Sequence, residues 1–66
     1  MNYSLGDTVA YSTPSGKLHM GIVVGTWGEG NHSGFTIVSH TPTGLMEMFK
    51  GYDDEILGVE KHAARW

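Results

Sequence analysis

The sequence predicts an all-β domain, a single small five-stranded barrel with a short helical turn before its last strand. Three observations predict this fold. Short runs of residues alternate between apolar and polar, which is the period of a half-buried strand. Turn signals made of proline and glycine separate these runs. The 66 residues include ten glycines and no cysteine, so glycines can bend the strands and no disulfide can support them.

The length and the charge of the chain limit its function. A domain of about this size buries only roughly 60% of its unfolded surface, so we expect added stability from oligomerisation or from a partner. A formal net charge of -3 disfavours nucleic acid as a partner, because binding a phosphate backbone requires clustered Lys and Arg. No apolar run approaches the roughly 20 residues of a membrane span, and no secretory leader follows Met1. We therefore expect a cytoplasmic protein that contacts no membrane.

The first two strands follow from alternation and from one turn signal. Residues 7–12 alternate, with Val9 and Tyr11 on one face. Residues 13–16 read Thr-Pro-Ser-Gly, in which proline presets one backbone angle and glycine tolerates a positive one, so the chain reverses there. Residues 17–27 form a long second strand, which its two internal glycines are expected to bend. One face of this strand carries Leu18, Met20, Ile22 and Val24.

Glycine-rich segments delimit the third and fourth strands. Residues 28–34 contain three glycines and no aliphatic residue, and we interpret them as a hairpin loop. Residues 35–40 resume the strand pattern, and the Thr-Pro-Thr-Gly sequence of residues 41–44 ends it. Residues 45–49 form the fourth strand.

The last segment fits either a helix or a strand. The acids at residues 53–55 suit a helix N-terminus, whereas Gly58 disfavours a helix interior. A fifth strand would also close the sheet and protect its edges. We therefore favour a single turn at residues 52–55 followed by a strand at residues 56–60. The predicted organisation is a barrel over residues 1–60 and a C-terminal tail over residues 61–66.

Two motifs lie within residues 5–60: Gly-Asp-x-Val at residues 6–9 and Gly-Ile-Val-Val-Gly at residues 21–25. In order and spacing they resemble the pattern of small SH3-like barrels, which include KOW and Tudor modules and the type II dihydrofolate reductases. The resemblance implies that the first motif begins the first strand and that the second passes through the middle of the sheet. It also implies a ligand groove formed by the loops after the first strand and between the second and third.

The resemblance to type II dihydrofolate reductases extends to Gly34-Phe35 and to Gly44. That family presents a Val-Gln-Ile-Tyr strand to a tetramer pore, whereas residues 45–49 here read Leu-Met-Glu-Met-Phe. The amide and the tyrosine of the family are absent, so this resemblance implies a shared fold rather than a shared activity. The alternative function that it leaves open is an oligomeric barrel with a ligand or active site at the subunit interface.

The sequence shows no pattern of a catalytic or metal site. The four histidines, at positions 19, 32, 40 and 62, lack the short spacing that places two ligands on one face. A site assembled across strands from His19 and His40 with a carboxylate stays open. Neighbouring Ser and His residues point to opposite faces of a strand, so they form no nucleophile and base pair. We therefore predict no enzyme activity, no catalytic residues, no metal and no cofactor.

Large aromatic and methionine side chains predict how the protein acts. Seven aromatic residues and the methionines at positions 20, 46 and 48 exceed what one thin core can enclose, so several must be exposed. Exposed aromatic and methionine side chains mark protein recognition surfaces. We predict a small non-enzymatic protein-binding module that binds another protein or itself through this surface and through its acids. The predicted partner-binding residues are Tyr11, Trp27, Glu29, His32, Asp53, Asp54 and Trp66.

The size and the acidic charge suit an accessory subunit or an inhibitor of a larger protein, of the kind that phages and mobile elements encode. A third reading is an acidic competitor at a basic nucleic-acid-binding surface. It requires most of the seven acids to lie on one face.

Overall fold

A computed structural model describes residues 3–40 and 43–62 of the chain. It confirms the all-β class, with five antiparallel strands in one sheet and one short helical turn before the last strand. Among the described residues, no helix is both long and apolar enough to cross a membrane. The elements are β1 (Thr8–Ser12), β2 (Leu18–Glu29), β3 (His32–His40), β4 (Met46–Tyr52), a 3-10 turn (Asp53–Glu55) and β5 (Ile56–Glu60).

The strands lie in the order β4-β3-β2-β1-β5, and every neighbouring pair is antiparallel. Within the described ranges no hydrogen-bonded ladder joins β4 to β5, so the predicted closure of the sheet into a barrel is wrong. Side chains bridge the structure instead. The Tyr11 hydroxyl of β1 donates to the Lys50 carbonyl of β4 at 3.1 Å, and the Tyr3 hydroxyl donates to the Gly34 carbonyl of β3 at 3.2 Å.

The hairpin between β2 and β3 is tighter than the predicted loop over residues 28–34. Glu29 pairs with His32, so only Gly30 and Asn31 form the turn. Gly30 has a φ of 61°, which glycine adopts without strain at the first position of a two-residue hairpin turn. The other two glycines of this segment, Gly28 and Gly34, belong to β2 and β3. A prediction that counts all three glycines as loop residues therefore gives a loop that is too long.

One cluster of side chains forms the core on one face of the sheet. Phe35 lies near its centre, and its ring meets Tyr11 and Tyr3 edge-on at centroid distances of 5.0 and 5.4 Å. Partly buried Phe49 packs against the cluster. Of the two glycines expected to bend the second strand, Gly25 is confirmed, because the register of β2 against β3 shifts between Val23 and Gly25 and increases the local twist. Gly21 pairs with Val9 without a shift in register. The fully buried hydrophobic residues are Val9, Tyr11, Val23, Phe35 and Ile37.

A buried carboxylate joins the two ends of the described chain. Asp7 accepts hydrogen bonds from the backbone N–H of His62 at 2.8 Å and of Ser4 at 2.9 Å, and it pairs with the Lys61 ammonium at 3.1 Å. These donors lower the pKa of Asp7 from its ordinary value of 3.8, the His62 N–H first, and they outweigh the opposing effect of burial. Residues 61 and 62, at the start of the predicted tail, are therefore attached to the sheet.

Acid is expected to weaken the fold through Asp7. Because the folded pKa lies below the unfolded value of 3.8, the contribution of Asp7 is complete above that value and is lost as the pH falls through the folded pKa. Urea unfolding between pH 2 and pH 7 measures this loss. Asp7→Asn should be less stable at pH 7 and should depend less on pH in the acidic range. An Asp7→Asn variant with the pH dependence of the parent would contradict the assignment.

Candidate functional site

The two faces of the sheet differ in character on β2, β3 and β4. The cross-strand pair Val23–Ile37 lies on the face that carries the core. The next pairs, Ile22–Val38 and Val38–Met48, lie on the opposite face, because successive side chains of a strand alternate. We call this opposite face the outer face.

The outer face exposes more large apolar side chains than the core buries. Within the described residues, six large apolar side chains of this face are 48–69% exposed, whereas five hydrophobic side chains are fully buried in the core. This observation confirms that several methionines lie at the surface, as predicted. Contiguous apolar patches of this kind mark interaction sites. We call these six residues the apolar patch: Leu18, Met20, Ile22, Val24, Met46 and Met48.

A second surface forms around Tyr52, at the end of the sheet where β2 and β4 end and β3 begins. The register aligns Trp27, Gly34 and Tyr52 across the three strands. Gly34 has no side chain, so the Trp27 indole lies across it and donates from Nε1 to the Phe35 carbonyl at 3.2 Å. Tyr52 meets the indole edge-on at 5.2 Å between centroids, and the His32 ring meets Tyr52 edge-on at 5.8 Å.

Two grooves flank the Tyr52 ring. The larger has a volume of about 260 Å³ and contains one acid and one base, Glu29 and Lys50, beside Trp27. The smaller, of about 130 Å³, lies beside His32 and contains Asp53 and Asp54 without a lysine or arginine. The two grooves together therefore carry more negative than positive charge. We call this area the Tyr52 surface, formed by Trp27, Glu29, His32, Lys50, Tyr52, Asp53 and Asp54.

The carboxylates of this region have different roles. Asp53 is fixed by two hydroxyls. Ser33 donates to it, and so does Tyr3 at 2.5 Å, whose single proton is shared with the longer contact to the Gly34 carbonyl. Burial, and then Asp53, raise the pKa of Tyr3 above its ordinary value, so this hydroxyl keeps its proton. Asp54 and Glu29 are exposed, and within residues 3–40 and 43–62 neither carboxylate accepts a hydrogen bond or forms an ion pair. These two carboxylates are available to a ligand.

Five of the seven predicted partner-binding residues meet at the Tyr52 surface, namely Trp27, Glu29, His32, Asp53 and Asp54. Tyr11 does not, because it is 1% exposed and belongs to the core. Its side chain is therefore inaccessible to a partner, contrary to expectation. Trp66 lies outside the described residues.

Tyr52 lines both grooves, although it is not among the residues predicted from the sequence. The cross-strand pairs Trp27–Gly34 and Gly34–Tyr52 place Tyr52 in the site. These pairs can be derived from the sequence only if the hairpin turn is placed correctly. The predicted loop over residues 28–34 includes Gly34, so it leaves no strand residue between Trp27 and Tyr52 to align them.

The histidines give no support to a metal centre. Among the residues described, no three side chains of His, Cys, Asp or Glu come together as metal ligands would. The His19 ring lies 4.3 Å from Phe49 and 5.4 Å from Tyr11 between centroids, so it packs with aromatic neighbours.

Comparison of the chain with protein-family models, with curated proteins and with solved structures finds no match. The apolar patch and the Tyr52 surface are therefore the features from which a function is inferred. The resemblance to SH3-like barrels stays a prediction.

Proposed function

We propose that this protein is a non-enzymatic protein-binding module that binds a basic segment of another protein at the Tyr52 surface. The observation that carries this proposal is the grouping of three aromatic rings with two unpaired carboxylates around two grooves. An accessory subunit or an inhibitor of a larger protein, encoded by a phage or a mobile element, is the role that the size and charge suit best.

Arginine is the side chain that this surface fits best. A guanidinium can stack on the exposed ring of Tyr52 while it donates hydrogen bonds to Asp54 beside the smaller groove. A cation and an aromatic ring attract each other by about 0.5–1 kcal/mol at an exposed site. An exposed ion pair adds about 0–1 kcal/mol. Single contacts are therefore weak, and a segment must occupy both grooves to bind firmly.

The charge of the whole chain supports the same partner. A net charge of -3 attracts a basic segment over long range and raises the rate of encounter. Lys50 is the opposing charge in the larger groove, where Glu29 balances it. The segment is expected to place its basic residue in the smaller groove and an apolar or uncharged residue against Trp27.

Titration with short peptides tests the proposal. We expect an acetylated arginine-containing hexapeptide to shift the NMR signals of the Trp27 Nε1–H and the Tyr52 amide, and an acidic hexapeptide to shift neither. Tyr52→Leu should weaken binding about twofold to fivefold, because it removes a cation–π contact of about 0.5–1 kcal/mol. Asp54→Asn should weaken it by up to about fivefold, because it removes an exposed ion pair of up to about 1 kcal/mol. Added salt should weaken binding further.

Glu60→Gln is the matched control for Asp54→Asn, because Glu60 is an exposed acid on β5, away from the Tyr52 surface. It should leave the affinity unchanged. Equal effects of the two variants would show that total charge, and not this surface, governs binding. Signal changes confined to another part of the chain would reject the proposed site.

A further inference from the structure

We infer that a second copy of this chain covers the apolar patch, so that two outer faces pack together in a homodimer. This inference is independent of the binding proposed at the Tyr52 surface. It rests on the size of the patch, on its lack of charge and on the small core that lies beneath it.

The area of the patch suits the centre of a dimer interface. Complete burial of one large aliphatic side chain removes roughly 60–120 Å² of apolar surface. Six such side chains, each about half to two-thirds exposed, offer roughly 300 Å² per copy. A typical interface buries about 800 Å² per partner, with an apolar centre and a polar rim. The patch provides that centre, and its neighbours on the outer face provide the rim.

The patch allows two like-charged copies to meet. None of its six residues is charged, and its neighbours Val38 and Thr36 on the outer face are uncharged too. Glu47 lies between Met46 and Met48 along β4, but alternation directs it to the opposite face. The charged residues beside the patch on this side of the sheet are Lys50, two residues beyond Met48 on β4, and Glu60, which lies across Thr8 from Ile22. Both lie at the margin of the patch, so two copies, each with a net charge of -3, can bury it without burying a carboxylate.

The small core favours a second copy over a transient partner. In the part of the chain that the structure describes, only five hydrophobic side chains are fully buried, and single cores of this size give marginal stability. A copy of the same chain is present whenever the protein folds, and its binding stabilises the folded state by mass action. Two sheet faces rich in aliphatic and methionine side chains can pack as the inner faces of a sandwich do, about 10 Å apart.

Light scattering and sedimentation equilibrium of the full chain test the inference. Over a hundredfold range of concentration we expect a mass of about twice 7.2 kDa that falls towards the single-chain mass on dilution. Ile22→Lys and Met48→Lys lie on different strands of the patch, and each should weaken dimerisation at least about tenfold, because it buries a charge. Leu57→Lys is the matched control, because Leu57 is 66% exposed on β5, which β1 separates from β2. It should leave dimerisation unchanged.

A wild-type chain that stays monomeric up to millimolar concentration would overturn the inference and leave the patch to another partner. Unchanged dimerisation of both Ile22→Lys and Met48→Lys would overturn it as well. So would a loss of dimerisation in Leu57→Lys as large as the loss in the two patch variants. Circular dichroism checks that each variant folds, and Ile22→Gln and Met48→Gln replace any lysine variant that does not. Mixed labelled and unlabelled chains provide a second measurement, in which contacts between copies should appear at the methyl groups of Met20 and Met48. Contacts only at Tyr52, which lies on the same face beyond Lys50, would show that the apolar patch is not the interface.

Discussion

Replacing Phe35 with alanine is expected to remove most of the stability of this protein. The Phe35 ring is fully buried and contacts Tyr3 and Tyr11 edge-on. Removing a buried phenylalanine ring costs about 3–5 kcal/mol, as lost apolar burial and as a cavity. At about 0.05–0.15 kcal/mol per residue, a chain of this length has a free energy of unfolding of only about 3–10 kcal/mol. Urea unfolding followed by circular dichroism measures the difference.

Phe49→Ala is the matched control for Phe35→Ala. Phe49 is only half-buried at the margin of the core, so the same change should cost clearly less there. All proteins should be compared at one concentration, because a dimer makes stability depend on concentration. A loss at Phe35 no larger than the loss at Phe49 would show that the core is not centred on Phe35.

The alternation of residues was sufficient to predict the strands because the core lies on one face of the sheet. Val9 and Tyr11 on β1, and Phe35 and Ile37 on β3, follow the period of two directly into the core. The same pattern already placed Tyr11 on the face of Val9. The groove of SH3-like barrels places Tyr11 on the binding surface, whereas the alternation of residues places it in the core. The alternation is correct, because Tyr11 is buried beside Val9.

Closure of the sheet and the exact hairpin could not be predicted in the same way. Whether β4 and β5 pair depends on how the whole sheet bends, and here Tyr11 and Tyr3 bridge the strands with their hydroxyls. Glycine occurs both in turns and where two backbones approach closely, so the sequence alone predicts a loop at Gly34, whereas this residue lies buried in β3. The aromatic and acidic residues of the candidate site could be predicted from their types. Tyr52 at its centre could not, because its place beside Trp27 follows from the pairing of β2, β3 and β4.

The two proposed surfaces would work together in one assembly. The Tyr52 surface lies at one end of β2, β3 and β4, and the apolar patch covers the outer face beyond Lys50 and Thr36. A homodimer would therefore present two copies of the Tyr52 surface. Two linked sites bind a partner with two basic segments much more tightly than either site alone, provided that the segments span the distance.

Replacing Gly34 with alanine is expected to damage the fold and the Tyr52 surface at once. A Cβ atom at position 34 would overlap the Gly51 carbonyl oxygen of β4 and the indole of Trp27, with Cε2 only 2.7 Å away. The carbonyl belongs to the paired backbone and cannot move without separating β3 from β4. Overpacking of this kind costs about 1–3 kcal/mol. We therefore expect a loss of that size in urea unfolding, together with loss of the Trp27–Tyr52 contact and of peptide binding.

Gly25→Ala separates this clash from the general effect of adding a methyl group to a strand glycine. A Cβ atom at Gly25 on β2 would meet no heavy atom within 4 Å, so this variant should change stability by no more than about 0.5 kcal/mol and should bind the peptide normally. Equal behaviour of the two variants would mean that Gly34 does not position the indole. A Gly34→Ala protein that is destabilised yet binds the peptide with full affinity would contradict the expected loss of binding. It would show that recognition does not need the Trp27–Tyr52 contact.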